Sequence, residues 1–116
     1  MSINEINSIT GYHAHVYYDA ETKARAATLR EAIDAAFGDR VVLGRWHDEP
    51  VGPHPIGSYQ VAFEPEVFAD LVPWLALNRD GLTVFLHPET GDVIADHVDR
   101  TLWLGEKYEI DVEKLK

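Results

Sequence analysis

Two amphipathic helical patterns are set among four short runs of β-type residues, and this order narrows the available folds more than any other feature of the chain. Tyr12–Tyr18 is rich in Tyr and Val and holds no breaker after Gly11, which predicts a strand. Asp19 can cap the next element, with Glu21 near its positive end. Ala26, Leu29, Ile33 and Phe37 then recur at helical spacing up to Gly38. Val41–Trp46 and Ser58–Glu64 read as the second and third strands. Between them, Pro50, Gly52, Pro53 and Pro55 make His47–Pro55 a stiff loop. Pro65 suits the first position of a second helix, with Val67, Phe68, Leu71 and Leu75 as its apolar side. Pro73 should kink or restart that helix, and Gly81 closes it. Leu82–Leu86 reads as a fourth strand and His87–Asp92 as a turn. Within Val93–Gly105 only Leu102–Leu104 suggests an element, a short strand. Residues 1–9 look like a loose polar arm. The tail 106–116 alternates Ile110 and Val112, as a strand docking on a partner subunit would.

The order β-α-β-β-α-β with a C-terminal extension predicts an α+β, ferredoxin-like fold. Both helices then cover one face of an antiparallel sheet, leaving the other face to a ligand or a second subunit. A length of 116 residues fits a single domain, 1–116, and 46% hydrophobic residues suit a packed core. The 10 basic and 20 acidic residues give a formal charge of −10, which argues against a nucleic-acid partner. The longest apolar run, Leu71–Leu77, is broken by Pro73 and falls short of the roughly 18 residues of a membrane span. Met1–Glu5 shows neither the basic nor the apolar region of a signal peptide. With no Cys, disulfides and thiolate metal sites are excluded, and a cytoplasmic location fits.

What remains conspicuous is six His and three Trp. Side chains alternate along a strand, so His13, His15 and Tyr17 share the face opposite Tyr12, Ala14, Val16 and Tyr18. By the same parity Gln60, Ala62 and Glu64 face away from Tyr59, Val61 and Phe63, and Phe85 and His87 face away from Val84 and Leu86. If the first strand is central, His13 lies near Glu64 and His87, with His15 one pleat further along. Three imidazoles and a carboxylate then converge on the open face. Neutral imidazole is a common ligand for Fe, Zn, Cu and Ni, and a facial His/carboxylate set leaves positions free for substrate and O₂.

Each residue also has an ordinary reading. His13 and His15 can be polar residues on a wet sheet face. Glu64 before Pro65 can favour a helix start. His47 with Asp48 suits an exposed loop, and His97 between Asp96 and Asp99 suits a surface ion pair. Trp46, Trp74 and Trp103 suit core or subunit contacts.

Three blocks go further in combination. Gly11-Tyr12-His13-Ala14-His15-Val16-Tyr17-Tyr18-Asp19, then Gly52-Pro53-His54-Pro55 followed by Gly57-Ser58-Tyr59-Gln60-Val61, then His87-Pro88-Glu89-Thr90-Gly91-Asp92 with Asp96-His97 and Leu102-Trp103-Leu104-Gly105, run in order over residues 11–105. Together they resemble the DOPA 4,5-dioxygenase family. The resemblance implies a ferredoxin-like, commonly dimeric protein that cleaves a catechol such as DOPA in the extradiol manner, with O₂ and non-haem Fe(II). Zn or another divalent metal is a possible occupant after purification. The family's histidines map onto His13, His15, His54, His87 and His97. We assign His13, His15 and His87 to the metal, with Glu64 in reserve. His54 and His97 fall to acid/base work, and Tyr17, Gln60, Phe85 and Trp103 to the substrate. A non-catalytic module binding a small aromatic or a metal, and a His-based metal hydrolase or isomerase, are the competing readings. Oxygen uptake separates them.

Overall fold

The protein is described here from a computed structural model covering residues 2–116. Its elements are β1 (Gly11–Tyr18), α1 (Lys23–Phe37), β2 (Val42–Leu43), β3 (Gly57–Phe63), α2 (Phe68–Asn78), β4 (Val84–Glu89), α3 (Val93–Val98) and β5 (Leu102–Leu104). The strands form one antiparallel sheet in the order β2-β3-β1-β4-β5. The α+β, ferredoxin-like arrangement expected from the element order is therefore present, with β1 at the centre.

Period-two alternation divides β1 between two environments. Ala14, Val16 and Tyr18 join Tyr59, Val61 and Phe63 of β3 and Val84 and Leu86 of β4 in the core. Ala26, Leu29, Ile33 and Phe37 of α1 and Leu71 and Leu75 of α2 close over them, so both helices lie on one side as expected. Tyr59 lies fully inside this layer and donates its hydroxyl to the Ala26 carbonyl at 2.8 Å, which satisfies a polar group that burial would otherwise penalise. On the opposite face lie His13, His15, Tyr17, Phe85 and His87.

Several local expectations change. The second strand is only Val42–Leu43; beyond it pairing to β3 continues through the Gly44 N–H on the Gln60 carbonyl and an isolated bridge of His47 with Ser58, and Trp46 turns inward against Tyr18 and Tyr59. The fourth strand does not stop at Leu86 but continues through His87-Pro88-Glu89, the stretch expected to turn. Proline survives there because β5 pairs only with Val84–Leu86, so β4 has a single strand neighbour at Pro88. The stretch after Asp92, without an element in the sequence reading, holds the helix α3, capped by Asp92 accepting from the Ala95 N–H. Six residues are too few to show a helical period. Pro65 opens a 3₁₀ turn, Pro65–Val67, that leads into α2, and α2 runs unbroken through Pro73. Residues 106–116 do not extend. They fold back over the sheet face opposite α1 and α2, bonded to the proline-rich loop and ending in a 3₁₀ turn, Val112–Leu115.

The proline-rich loop is anchored at both ends. Asp48 accepts from the Tyr18 hydroxyl and from Lys23, both at 2.8 Å. Gly57 sits so close to the backbone of Tyr18 and His47 that a Cβ would meet their carbonyl oxygens at 3.0 Å. Gly57→Ala should displace the loop that carries His54, and Leu71→Ala, which empties a fully buried site, should cost about 2–5 kcal/mol. Chemical denaturation checks both: Leu71→Ala lowers the midpoint strongly, whereas Gly57→Ala also perturbs the histidine resonances.

Candidate metal centre

Register decides which side chains meet. In the β1–β4 ladder His13 stands opposite His87, and His15 opposite Phe85. In the β1–β3 ladder His13 faces Ala62 and His15 faces Gln60. One cross-strand row is thus Ala62–His13–His87, and the next is Gln60–His15–Phe85. A diagonal step brings His15 and His87 together, with their Nε2 atoms 3.0 Å apart. His13, His15 and His87 each offer a nitrogen within 4.8 Å of the others.

The other ring nitrogens of His87 and His13 are committed. His87 Nδ1 lies 3.0 Å from the Pro88 carbonyl, which can only accept, so Nδ1 carries the proton and the Nε2 lone pair is free. His13 Nδ1 lies 3.1 Å from Glu89 Oε1, which leaves Nε2 of that ring available as well. The same carboxylate oxygen is 3.5 Å from His87 Nδ1. Glu89 therefore orients the His13 ring, as carboxylates behind metal-bound histidines commonly do, while the Pro88 carbonyl orients His87. The 3.0 Å gap between Nε2 atoms also equals the separation of two ligands placed at a right angle about 2.1 Å from one ion. The three imidazoles fit a metal ion on both counts.

Burial keeps them in the ligating form. His87 is fully buried and His15 is 5% exposed. Desolvation pushes His87 down to about 4, and desolvation with the neighbouring rings holds His15 well below the ordinary imidazole range. His13 is lowered too, first by burial, against the opposing pull of Glu89. All three are therefore neutral at pH 7.

His54 and His97 arrive from outside the sheet. His54 projects from the proline-rich loop, its ring centre 4.2 Å from that of His15, and its Nδ1 lies 2.8 Å from the Tyr17 hydroxyl. Burial pushes His54 down to about 4. His97 projects from α3, its ring centre 3.9 Å from that of His87, and its Nδ1 donates to the Val93 carbonyl at 2.8 Å. Asp96 fixes this helix: it is almost fully buried and accepts from the Thr90 N–H and hydroxyl and from Arg100. Hydrogen bonds from Thr90 and the charge of Arg100 outweigh desolvation and hold the Asp96 carboxyl below its usual range.

The five histidines singled out in the sequence thus gather on one sheet face, and His47, at the start of the loop, lines the same cleft as His15 and His54. Glu64 is not among them. The β1–β3 ladder ends at Tyr12 and Phe63, and Glu64 begins the 3₁₀ turn beyond it. The carboxylate beside the rings is Glu89, hidden from the sequence reading by the turn assigned to Pro88; β-parity from His87 would have found it. Tyr17 and Phe85 lie beneath the rings and are 2% and 0% exposed, with Phe85 stacked on Trp103 at 4.3 Å. Trp103 and Gln60 keep exposed surface. Two clefts reach the histidines: one of about 700 Å³ touches His13, Ala62, Glu64 and Glu89, and one of about 240 Å³ touches His15, His54 and Gln60.

The model of the Dopa 4,5-dioxygenase family matches residues 12–114, a span that contains every one of these side chains. The chain belongs to the DOPA 4,5-dioxygenase family. It is 33% identical to the DOPA 4,5-dioxygenase of Amanita muscaria, over 94% of this chain and 51% of that protein. It is equally 33% identical to an uncharacterized 21.2 kDa protein of Botryotinia fuckeliana, over 90% of this chain and 63% of that one. The chain thus spans between half and two thirds of these curated relatives. A crystal structure of a candidate dioxygenase from Nostoc punctiforme PCC 73102 shares 50% identity and superposes with a TM-score of 0.94, covering 97% of this chain and 96% of that one. Among the described residues, no helix is long and apolar enough to cross a membrane.

Neutral buried histidines make stability depend on pH. Their folded pKa lies below the unfolded value of about 6.5, so the stabilisation is complete above that value and is lost as pH falls toward 4. Metal-free protein should lose on the order of 1–2 kcal/mol for each such ring between pH 7 and pH 5. Thermal melts across that range should show a falling Tm, and His54→Gln should flatten the slope.

Proposed function

We propose that the chain is an extradiol dioxygenase: it opens the aromatic ring of a catechol such as DOPA with O₂ at a non-haem Fe(II) held by His13, His15 and His87. One observation carries the reading. Three neutral imidazoles lie on a single sheet face with two Nε2 atoms 3.0 Å apart, at the edge of clefts open to solvent. Such a facial set leaves room for both catechol oxygens and for O₂. A bound Fe(II) would supply the electron path between catechol and O₂ and would hold the two side by side.

The remaining work falls to the protein. Ring opening incorporates both oxygen atoms of O₂, so no outside reductant is required, but protons must leave the catechol hydroxyls and be returned. His54 can exchange a proton at Nε2 while Tyr17, whose hydroxyl either donates or accepts, matches the state of Nδ1. His97 has Nδ1 committed to Val93, so its proton exchange runs through Nε2. Glu89 holds the His13 ring in place. Trp103 and Gln60, both half-buried on the same sheet face, are the side chains best placed to meet the substrate, and Phe85 and Tyr17 support the site from below. The prolines flanking His54 limit the freedom that its loop loses when a ligand binds.

The decisive assay is anaerobic loading with Fe(II), addition of DOPA, then admission of air. A yellow ring-opened product and one O₂ consumed per catechol are expected; no product from any catechol would refute the proposal. His15→Ala should abolish metal binding and turnover together. His54→Ala should retain the metal but slow turnover by about 10²-fold or more.

A further inference from the structure

His13, His15 and His87 are held by strand ladders, but His54 and His97 are not. One rides on an irregular loop and the other on a helix of six residues. The C-terminal segment touches both carriers. Its Asp111 N–H donates to the Pro53 carbonyl at 2.9 Å, one residue from His54. Its 3₁₀ turn, Val112–Leu115, packs against α3. Between these points Tyr108 stands edge-on to the Tyr17 ring at 5.3 Å, and Tyr17 is the residue whose hydroxyl meets His54. The segment is fixed at its start by the Glu106 N–H donating to the Thr83 hydroxyl at 3.2 Å.

The structure assigns residues 106–115 the role of a tie that spans the sheet face and positions His54 and His97 over the three sheet histidines. Asp111 and Tyr108 are thus positioning residues. This inference rests on the acid/base roles proposed for the two histidines, yet the tie itself is measurable without them. The loop is anchored at its ends and α3 through Asp96, and a further hold between those anchors raises the cost of local opening at the two histidines. The tail supplies that hold through one backbone bond on the loop side and packing on the helix side. A displacement of about 1 Å at an acid/base group can cost as much as 10²-fold in rate, so the tie matters to chemistry while leaving the metal ligands untouched.

Asp111→Pro tests it. Asp111 has φ −89°, within reach of proline, and the substitution removes the N–H that bonds Pro53. In metal-free protein, amide exchange at His54, whose N–H bonds the Val51 carbonyl, and at residues 95–98 is expected to rise at least tenfold while exchange in β1, β3 and β4 stays at the parent value. Asp111→Ala keeps the N–H and is expected to exchange as the parent does. Tyr108→Leu is a second route to the same loosening. In the Fe(II)-loaded protein, Asp111→Pro is expected to bind metal within twofold of the parent and to lose about tenfold in kcat with little change in KM. Unchanged exchange in both Asp111→Pro and Tyr108→Leu overturns the tie, as does loosening that spreads equally to β1 and β4. If the parent turns over no catechol, the ring-cleavage reading fails, and the exchange experiment still decides whether the tie exists.

Discussion

The pairing of β1 between β3 and β4 is the constraint on which the rest depends. It sets His13 opposite His87 and His15 one pleat away, so the metal-binding set needs no loop to assemble it. A slip of one residue would send His13 and His15 into the hydrophobic core and Ala14 and Val16 to the surface. The core thereby protects the site. Ala14, Val16, Tyr59, Val61, Val84 and Leu86 are all completely buried, and none could exchange faces without placing imidazole in the apolar layer beneath the helices.

Burial shapes the chemistry as much as position does. Imidazoles stripped of water resist protonation, so the rings enter the cluster neutral. With the His87 proton on Nδ1 against Pro88, the contact between the two Nε2 atoms is a hydrogen bond donated by His15. A cation there would be held by both Nε2 atoms with the His15 proton moved to its Nδ1. The sheet supplies the fixed groups, and the loop and α3 bring His54 and His97, to which the proposed mechanism gives the proton transfers. The division places the three clustered histidines on strands and the other two on a loop and a short helix.

Much of this was legible in the sequence because strand alternation is local. The parity of His13, His15 and Tyr17, and of Phe85 and His87, follows from counting residues once the strands are recognised. Glu89 escaped because Pro88 reads as a breaker, and only the early end of β5 shows why a proline is tolerated there. Glu64 was expected beside His13 because the third strand was read one residue too far. The helix α3 is too short to announce itself, and the path of the tail depends on contacts with residues as distant as Tyr17, Pro53 and Thr83.

The sequence by itself determined the two faces of the sheet, the order of β1 to β4 with α1 and α2, and the five histidines, since each follows from periodicity or from blocks of adjacent residues. Tertiary structure alone decided which carboxylate orients His13, which nitrogens of His13 and His87 remain free, and how the loop, α3 and tail close around the site. Those outcomes depend on hydrogen bonds and desolvation between distant segments, and neither is encoded in any local pattern of residues.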